Sequence, residues 1–315
     1  MTPLDQLTPD RRTPDRRTLD RRSLVLSAAA GAALAGSSLA AAPRPRAAIK
    51  KALKYGMIAD PAAKTVRDKF QLVLDCGFDG VELDSPSDLD EREVLEAKAA
   101  TGIEIPGLVD SVHWQKNLGG HDEAERAAGR AALEHALRQA KLFGASTVLL
   151  VPAVVNERVS YGAAYRNSLA ELKRVTALAE ELGVRIAIEN VWNNFLLSPV
   201  EAKRYCEESG SPNVGWYLDI GNLLRYGWPE HWIEELGLAR LFKLDIKEYS
   251  RKKMNDEGLW KGFDVEIGDG DCGWPRVMAA LQAIGWSGWG SAEVNGGDRK
   301  RLSDIAARMG RVFGA

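Results

Sequence analysis

Four acids in the second half of the chain stand where a strand-and-helix protein does its chemistry. They are Glu189 in RIAIENVW, Asp219 in GWYLDIGN, Asp245 in KLDIKEY and Glu293 in GSAEVNGGD. Each lies at or near the end of a short apolar run, and the period of two along a strand can turn each to the same side of its run. If the four runs are neighbours, four carboxylates point at one volume. Like charges at short range raise one another's pKa, so four ionised carboxylates share a dry pocket at neutral pH only when a cation joins them. The set therefore predicts one divalent metal ion held by Glu189, Asp219, Asp245 and Glu293. Around Asp245, the stretch FKLDIKEYS (242–250) alternates, with Lys243, Asp245 and Lys247 on one face and Phe242, Leu244 and Ile246 on the other. Lys243 or Lys247 is expected to balance the ligands' negative charge or to hold a substrate oxygen.

The elements that must position these acids repeat along the chain. From Leu53 onward one unit recurs: an apolar run, a polar loop, a helical period, then a glycine. The closing glycines are Gly77, Gly102, Gly144, Gly183, Gly210, Gly237 and Gly285, each suited to the left-handed residue that ends a helix. Strands are expected at 53–58, 79–84, 103–111, 147–154, 185–191, 214–220, 241–248 and 288–294. Between them run helical patterns such as Leu169, Leu172, Val175, Leu178 and Leu182, and a last one with Leu302, Ile305, Met309 and Val312. Eight strands with seven helix closures and a final helix predict a (β/α)8 TIM barrel, a single α/β domain over residues 49–315, close to the ~250 residues typical of that fold. Its chemistry sits at the C-terminal strand ends. A doubly wound open sheet is the alternative; no G-x-G-x-x-G follows the first strand, so its dinucleotide version has no local support.

Residues 1–48 differ in kind. A micro-repeat, TPDRRTPDRRTLDRRS, leads into an Ala/Gly-rich apolar run, Leu24 to Ala42, and then AAAPRPRAA. A charged region, an apolar region and small residues, in that order, have the form of an export signal. Arg21 and Arg22 directly before the apolar run resemble a twin-arginine signal, although Leu24 and Val25 match its usual Phe-Leu loosely. The expected location is periplasmic or extracellular, with no stable membrane association once the signal is removed. Such a route carries folded proteins, so metal could be loaded before export. Taking away residues 1–48 removes eight Arg and four Asp and leaves 34 Lys and Arg against 40 Asp and Glu, a balance of −6. That balance argues against a nucleic-acid partner. Cys76, Cys206 and Cys272 are far apart and suggest neither a disulfide framework nor a thiolate zinc site.

The stretches IAIENVWNNFLLSP, VGWYLDIGNLLRYGWPEHWIEELG, LDIKEYS and GDGDCGWPRVMAALQAIGWSGWGSAEV resemble the sugar phosphate isomerase/epimerase-like proteins of the xylose-isomerase-like TIM-barrel superfamily. The resemblance runs from Leu53 to the C-terminus. It implies a Glu ending strand five, an Asp ending strand six, a His on strand seven and a Glu ending strand eight around one divalent metal. Glu189, Asp219 and Glu293 match. Asp245 stands where the imidazole would be, and Lys247 fits the family's pattern. Four oxygen donors make a harder site, which favours Mn²⁺ or Mg²⁺ over Co²⁺ or Zn²⁺.

The resemblance further implies a substrate contact at Glu82 in FDGVELD and at Asn222 in the D-x-G-N pattern that starts at Asp219. His113 and Trp114 offer a proton-transfer group and a sugar-stacking face. NGGDR (295–299) offers either an anion cradle or, through Asp298, a helix cap. The expected activity is a metal-dependent sugar isomerisation or epimerisation on a small carbohydrate. It would pass through an enediolate, with Glu189 and Glu293 moving the proton and Lys247 and His113 orienting hydroxyls or stabilising the oxyanion. A lyase or keto-glycoside-cleaving enzyme on the same site is the alternative, and a non-catalytic sugar-binding barrel the third. The superfamily's zinc endonucleases would need a histidine-rich cluster and a basic groove, and this chain has four scattered histidines. A homo-oligomer is compatible with the sequence.

Overall fold

The computed structural model describes residues 47–314, so the export-signal reading of the N-terminal segment lies outside the described residues except for its last two positions. The strands are β1 (Ile49–Lys54), β2 (Gly80–Ser85), β3 (Gly107–Asp110), β4 (Thr147–Leu150), β5 (Arg185–Glu189), β6 (Val214–Asp219), β7 (Leu241–Ile246) and β8 (Gly288–Ala292). They pair in parallel in chain order, and β8 returns to β1 to close the barrel. Around it lie α1 (Val66–Asp75), α2 (Glu91–Thr101), α3 (Glu123–Phe143), α4 (Tyr161–Leu182), α5 (Pro199–Glu208), α6 (Pro229–Arg240), α7 (Arg251–Glu257), α8 (Trp274–Ile284) and α9 (Arg299–Phe313). No helix among the described residues is long and apolar enough to cross a membrane.

Local chemistry sets the helix ends. Thr65 and Asp68 form a reciprocal capping box on α1, and Asp90, Asp122, Ser160, Ser198 and Asp298 each cap the helix that follows them. Gly102, Gly144, Gly183 and Gly285 end their helices with φ of 74°, 73°, 66° and 72°, as expected of closing glycines. Gly237 does not close its helix: with φ 62° and ψ −179° it kinks α6, which continues to Arg240.

Three strand boundaries differ from expectation. The first strand begins at Ile49, four residues before the predicted start, and ends at Lys54. The third and fourth are shorter than predicted because Pro106 and Pro152 cannot donate to a ladder. A short helix, α7, and a 3₁₀ turn, Leu259–Phe263, also fill the β7–α8 connection, where the periodicity predicts only one helix.

The main apolar core lies between sheet and helices. Leu53, Val81, Leu108, Val148, Ile186, Leu218, Leu244 and Ile246 all belong to it, and full burial of side chains of this size is worth ~1.5–3 kcal/mol each. A second, small cluster of Leu149, Ala187, Tyr217 and Phe242 is separate from it. Phe242 therefore does not share a face with Leu244 and Ile246. The pairing of β6 with β7 slips by one residue, so Trp216 faces Leu241 while Tyr217 faces Lys243. This bulge breaks the period of two at Phe242.

Candidate active site

Glu189, Asp219 and Asp245 sit on β5, β6 and β7, and Glu293 follows β8 directly. Each offers one carboxylate oxygen to a cluster in which these atoms lie within 4.8 Å of one another. Asp219 and Asp245 are fully buried, whereas Glu189 and Glu293 line a cavity of about 910 Å³. Two acids thus face the open volume and two stand behind them.

Strand neighbours fix these side chains. Asn190 accepts from Asp219 N (3.0 Å) and Trp216 Nε1 (3.1 Å) and donates to Asp219 O (2.8 Å), pinning the end of β6. Asn222 N donates to Asp219 Oδ1 at 2.8 Å. Lys247 Nζ lies 2.9 Å from Asp219 Oδ2 and 3.0 Å from Glu293 Oε2. Lys54 Nζ lies 3.0 Å from Asp245 Oδ1 and 2.8 Å from Glu82 Oε2. Asp245 is therefore balanced across the barrel by a lysine of β1, a residue that sequence reading missed. Placing the first strand four residues late put Lys54 near its start instead of at its C-terminal end. Lys243 does not offset the four acids: it pairs with Glu82 beneath them.

Glu82 does not fill the expected substrate-contact role. It is 2% exposed and accepts from Tyr217 OH at 2.7 Å as well as pairing with both lysines. The inward position two residues further along β2, Asp84, lines the cavity instead.

The charges do not cancel within the protein. Five carboxyl groups (Glu82, Glu189, Asp219, Asp245 and Glu293) meet three lysines (Lys54, Lys243 and Lys247). Burial, then Glu293, Asp245 and Asp219, push Glu189 well above the ordinary carboxylate range. Burial pushes Asp245 up to about 7 against the pull of Lys54, and raises Asp219 despite Lys247. Burial acts upward on Glu293 as well, but Lys247 and Lys54 outweigh it and hold that carboxyl below its usual value. Burial, followed by the charge of Lys54, drives Lys243 well below the ordinary lysine range. Asp219 Oδ2, both oxygens of Asp245 and Glu293 Oε2 are buried without a hydrogen bond among the described residues. Lys247 stands 2.9 Å from Asp219 Oδ2 and 3.0 Å from Glu293 Oε2, and Lys54 3.0 Å from Asp245 Oδ1, so Asp245 Oδ2 is the oxygen left without a partner among the described residues. An unpartnered Asp245 oxygen and more clustered carboxyl groups than lysines are what a divalent cation would satisfy, so the donor set fits a metal.

The rest of the cavity wall is mixed. His113, 4% exposed, accepts from Val151 N through Nδ1 at 3.4 Å, and burial lowers it to about 4, so its ring is neutral. Trp114 packs edge-on against it at 5.5 Å and is 47% exposed. Asn222 lines the cavity, donates to Asn190 O at 3.1 Å and lies 3.5 Å from Lys247. Trp192, Trp260 and Phe263 form an aromatic wall that sequence reading missed, with Trp192 centroids 4.7 Å from Trp260 and 5.0 Å from Phe263. Its signal was present in GLWKGF, where a tryptophan stands in the loop after a site strand. Glu248 was missed as well. Its carboxylate accepts from Gly268 N (2.8 Å), Cys272 N (3.1 Å) and Trp274 Nε1 (2.8 Å), which accounts for the GDGDCGW stretch as a loop folded onto a buried acid. His121, His135 and His231 are exposed and do not line the cavity.

The sequence profile described as xylose isomerase-like TIM barrel matches residues 70–311. The chain belongs to that family. Within it, L-ribulose-5-phosphate 3-epimerase UlaE of Escherichia coli is 25% identical over 240 residues, covering 72% of this chain and 81% of the relative. Among solved structures, a D-tagatose 3-epimerase-like protein superposes with a TM-score of 0.71 at 17% identity, covering 84% of this chain and 97% of that one. The 3-keto-D-glucoside 4-epimerase YcjR of E. coli gives 0.70 at 15% identity, covering 85% and 100%. At these identities the structural likeness shows the fold alone.

Proposed function

We propose that the protein is a sugar epimerase or isomerase that moves a proton on the carbon beside a carbonyl. The observation that carries this reading is the division of the four clustered acids: Glu189 and Glu293 face the cavity, Asp219 and Asp245 stand buried behind them. Family membership and the epimerase names of the relatives support it. Glu189, Asp219, Asp245 and Glu293 would hold one divalent ion, with Mn²⁺ or Mg²⁺ suited to four oxygen donors. When bound, the ion would act as a Lewis acid toward the substrate's carbonyl and hydroxyl oxygens, acidifying the neighbouring C–H.

The chain's own residues do the rest. Glu189 on β5 and Glu293 after β8 both face the cavity, so one is placed to take the carbon-bound proton and the other to return one. Lys247, between Asp219, Glu293 and Asn222, is placed to donate to a developing enediolate oxygen. The neutral His113 ring, with Nδ1 already accepting, donates through Nε2 to a hydroxyl. Export by a twin-arginine route stays part of the proposal, on the strength of Arg21-Arg22 ahead of the apolar run.

Incubating the metal-loaded protein in D₂O with D-fructose, D-allulose and L-ribulose tests the reaction by proton NMR. Deuterium should enter the carbon next to the carbonyl, and Glu189→Gln and Glu293→Gln should each slow entry by at least ~10²-fold, the usual share of general acid–base catalysis. Release of a β-substituent in place of epimer would make the enzyme a lyase. No exchange with any of these ketoses, nor with the glycosylated ketose lactulose, would refute proton transfer.

A further inference from the structure

We infer that the substrate is an uncharged carbohydrate of at least two rings, a glycoside or disaccharide, and not a sugar phosphate. The inference rests on the reading above for the reacting ring and concerns what lies beyond it.

Barrels of this kind hold phosphate groups on backbone N–H groups in the loops after strands seven and eight and at the N-terminus of a nearby helix. Here this chain's own carboxylates occupy those groups. After β7, Glu248 accepts from Gly268 N and Cys272 N at 2.8 and 3.1 Å. At the start of α7, Asp271 accepts from Arg251 N at 2.7 Å. At the start of α9, Asp60 accepts from Arg299 N at 2.9 Å and Asp298 from Arg301 N at 3.0 Å. Most cations nearby are taken too, Arg225, which stacks on Trp192 at 5.0 Å, being the exception. Arg299 pairs with Asp75, and Arg301 with Glu266. Lys54 and Lys247, the cationic residues lining the cavity, are each shared between two carboxylates. Asp84 and Asp264 add negative charge to the wall. A phosphate would meet an acid at each of these named donors.

The same cavity is built for apolar sugar faces. At about 910 Å³ it lies near the top of the ~300–1,000 Å³ range that takes drug-sized ligands, so one ring at the acid cluster leaves much of it unfilled. The wall beyond the acids is Trp192, Trp260 and Phe263. Trp192 is fixed by a 2.9 Å bond from Nε1 to Asn222 O, beside the acids, while Trp260 is 69% exposed at the outer end. This continuous aromatic surface leads from the reacting centre outward, and the C–H faces of a second pyranose ring match it. Trp114, on the loop after β3, supplies a further exposed ring.

The test compares binding of D-fructose, D-fructose 6-phosphate and lactulose, a glycosylated ketose, to the Mg²⁺-loaded full chain by calorimetry and saturation-transfer NMR. Lactulose should bind about tenfold more tightly than D-fructose, ~1.4 kcal/mol. Saturation should reach the protons of its second ring, and D-fructose 6-phosphate should gain nothing from its phosphate. Trp260→Ala should collapse the lactulose preference to near one, and Trp260→Phe should restore most of it. Tighter binding of the phosphate ester than of D-fructose, no lactulose preference, or a preference that survives Trp260→Ala would each overturn the inference. The two proposals fail separately. Ketose exchange without a Trp260-dependent preference leaves the epimerase reading standing. A Trp260-dependent preference without exchange on any sugar leaves only the subsite.

Discussion

Asp245 marks the point where this chain departs from the pattern it resembles, and its surroundings define a sharp test. Both its oxygens are buried without hydrogen bonds, and Lys54 of β1 stands at 3.0 Å. If it is a metal ligand, Asp245→Asn should lose at least about tenfold in apparent Mn²⁺ affinity, ~1.4 kcal/mol. Asp245→His should keep the metal and shift preference toward Zn²⁺ or Co²⁺. Titrated metal affinity and elemental analysis decide it; an Asn variant with unchanged affinity would reduce Asp245 to the counter-ion of Lys54. The four acids were legible in the sequence because each closes an apolar run. Lys54 was hidden by a misplaced strand start, and Asp84 by taking the earlier of two acids in VELD. Asp110 offers a second test. Burial lifts it to about 7, against the 3.8 of a free Asp, and one of its oxygens has no partner among the described residues. The folded state then holds a proton that the unfolded state has released, so stability falls as pH rises from about 4 to 7. Asp110→Asn removes that loss. Relative to the wild type, the variant should gain stability across that window, by up to ~1.4 kcal/mol for each pH step of one, and level off above it. Urea midpoints at pH 5, 6, 7 and 8 check the trend.

At the scale of elements, the rhythm of apolar runs and glycines made the barrel readable, while local exceptions were not. Alternation in FKLDIKEYS assigns Phe242 to the outer face. The slip between β6 and β7 turns it inward, where its ring would lie 2.4 Å from a Cβ on Gly215, so glycine is required there. No one-strand pattern reveals a slip that belongs to a pair of strands. Gly107 on β3 serves a similar need. A Cβ there would stand 2.6 Å from Glu82 Oε1, 2.8 Å from Lys243 Nζ and 2.8 Å from Thr147 Oγ1. Gly107→Ala should therefore cost about 1–3 kcal/mol, the usual penalty for overpacking. Gly310→Ala in α9, where nothing lies within 4 Å, should be neutral or gain up to ~1 kcal/mol from helix propensity. The denaturant midpoint should fall for Gly107→Ala and hold or rise for Gly310→Ala; an unchanged midpoint in Gly107→Ala would mean that the interior pair gives way without strain.

For the whole molecule, a domain begun at Ile49 leaves out two residues that the barrel uses. Ala47 belongs to the apolar core, and Ala48 O accepts from Gly288 N at 3.1 Å, joining the start of β1 to β8. A chain starting at Ala47 should melt about 2–4 °C higher than one starting at Ile49, the shift expected for ~1 kcal/mol in a domain of this size. Equal melting temperatures would show that these contacts contribute nothing. The buried charges also govern the order in which such a chain can become a protein during synthesis. Lys54 and Glu82 leave the ribosome early, but Lys243 reaches Glu82 across 161 residues, and Asp245 follows it on the same strand. Until β7 docks, a growing barrel of six strands encloses an ionic interior with part of its partners still unmade. Such an interior draws in water in place of packing dry. Closure of the barrel and assembly of the acid cluster therefore both wait on β7, a long-range contact of the kind that slows folding.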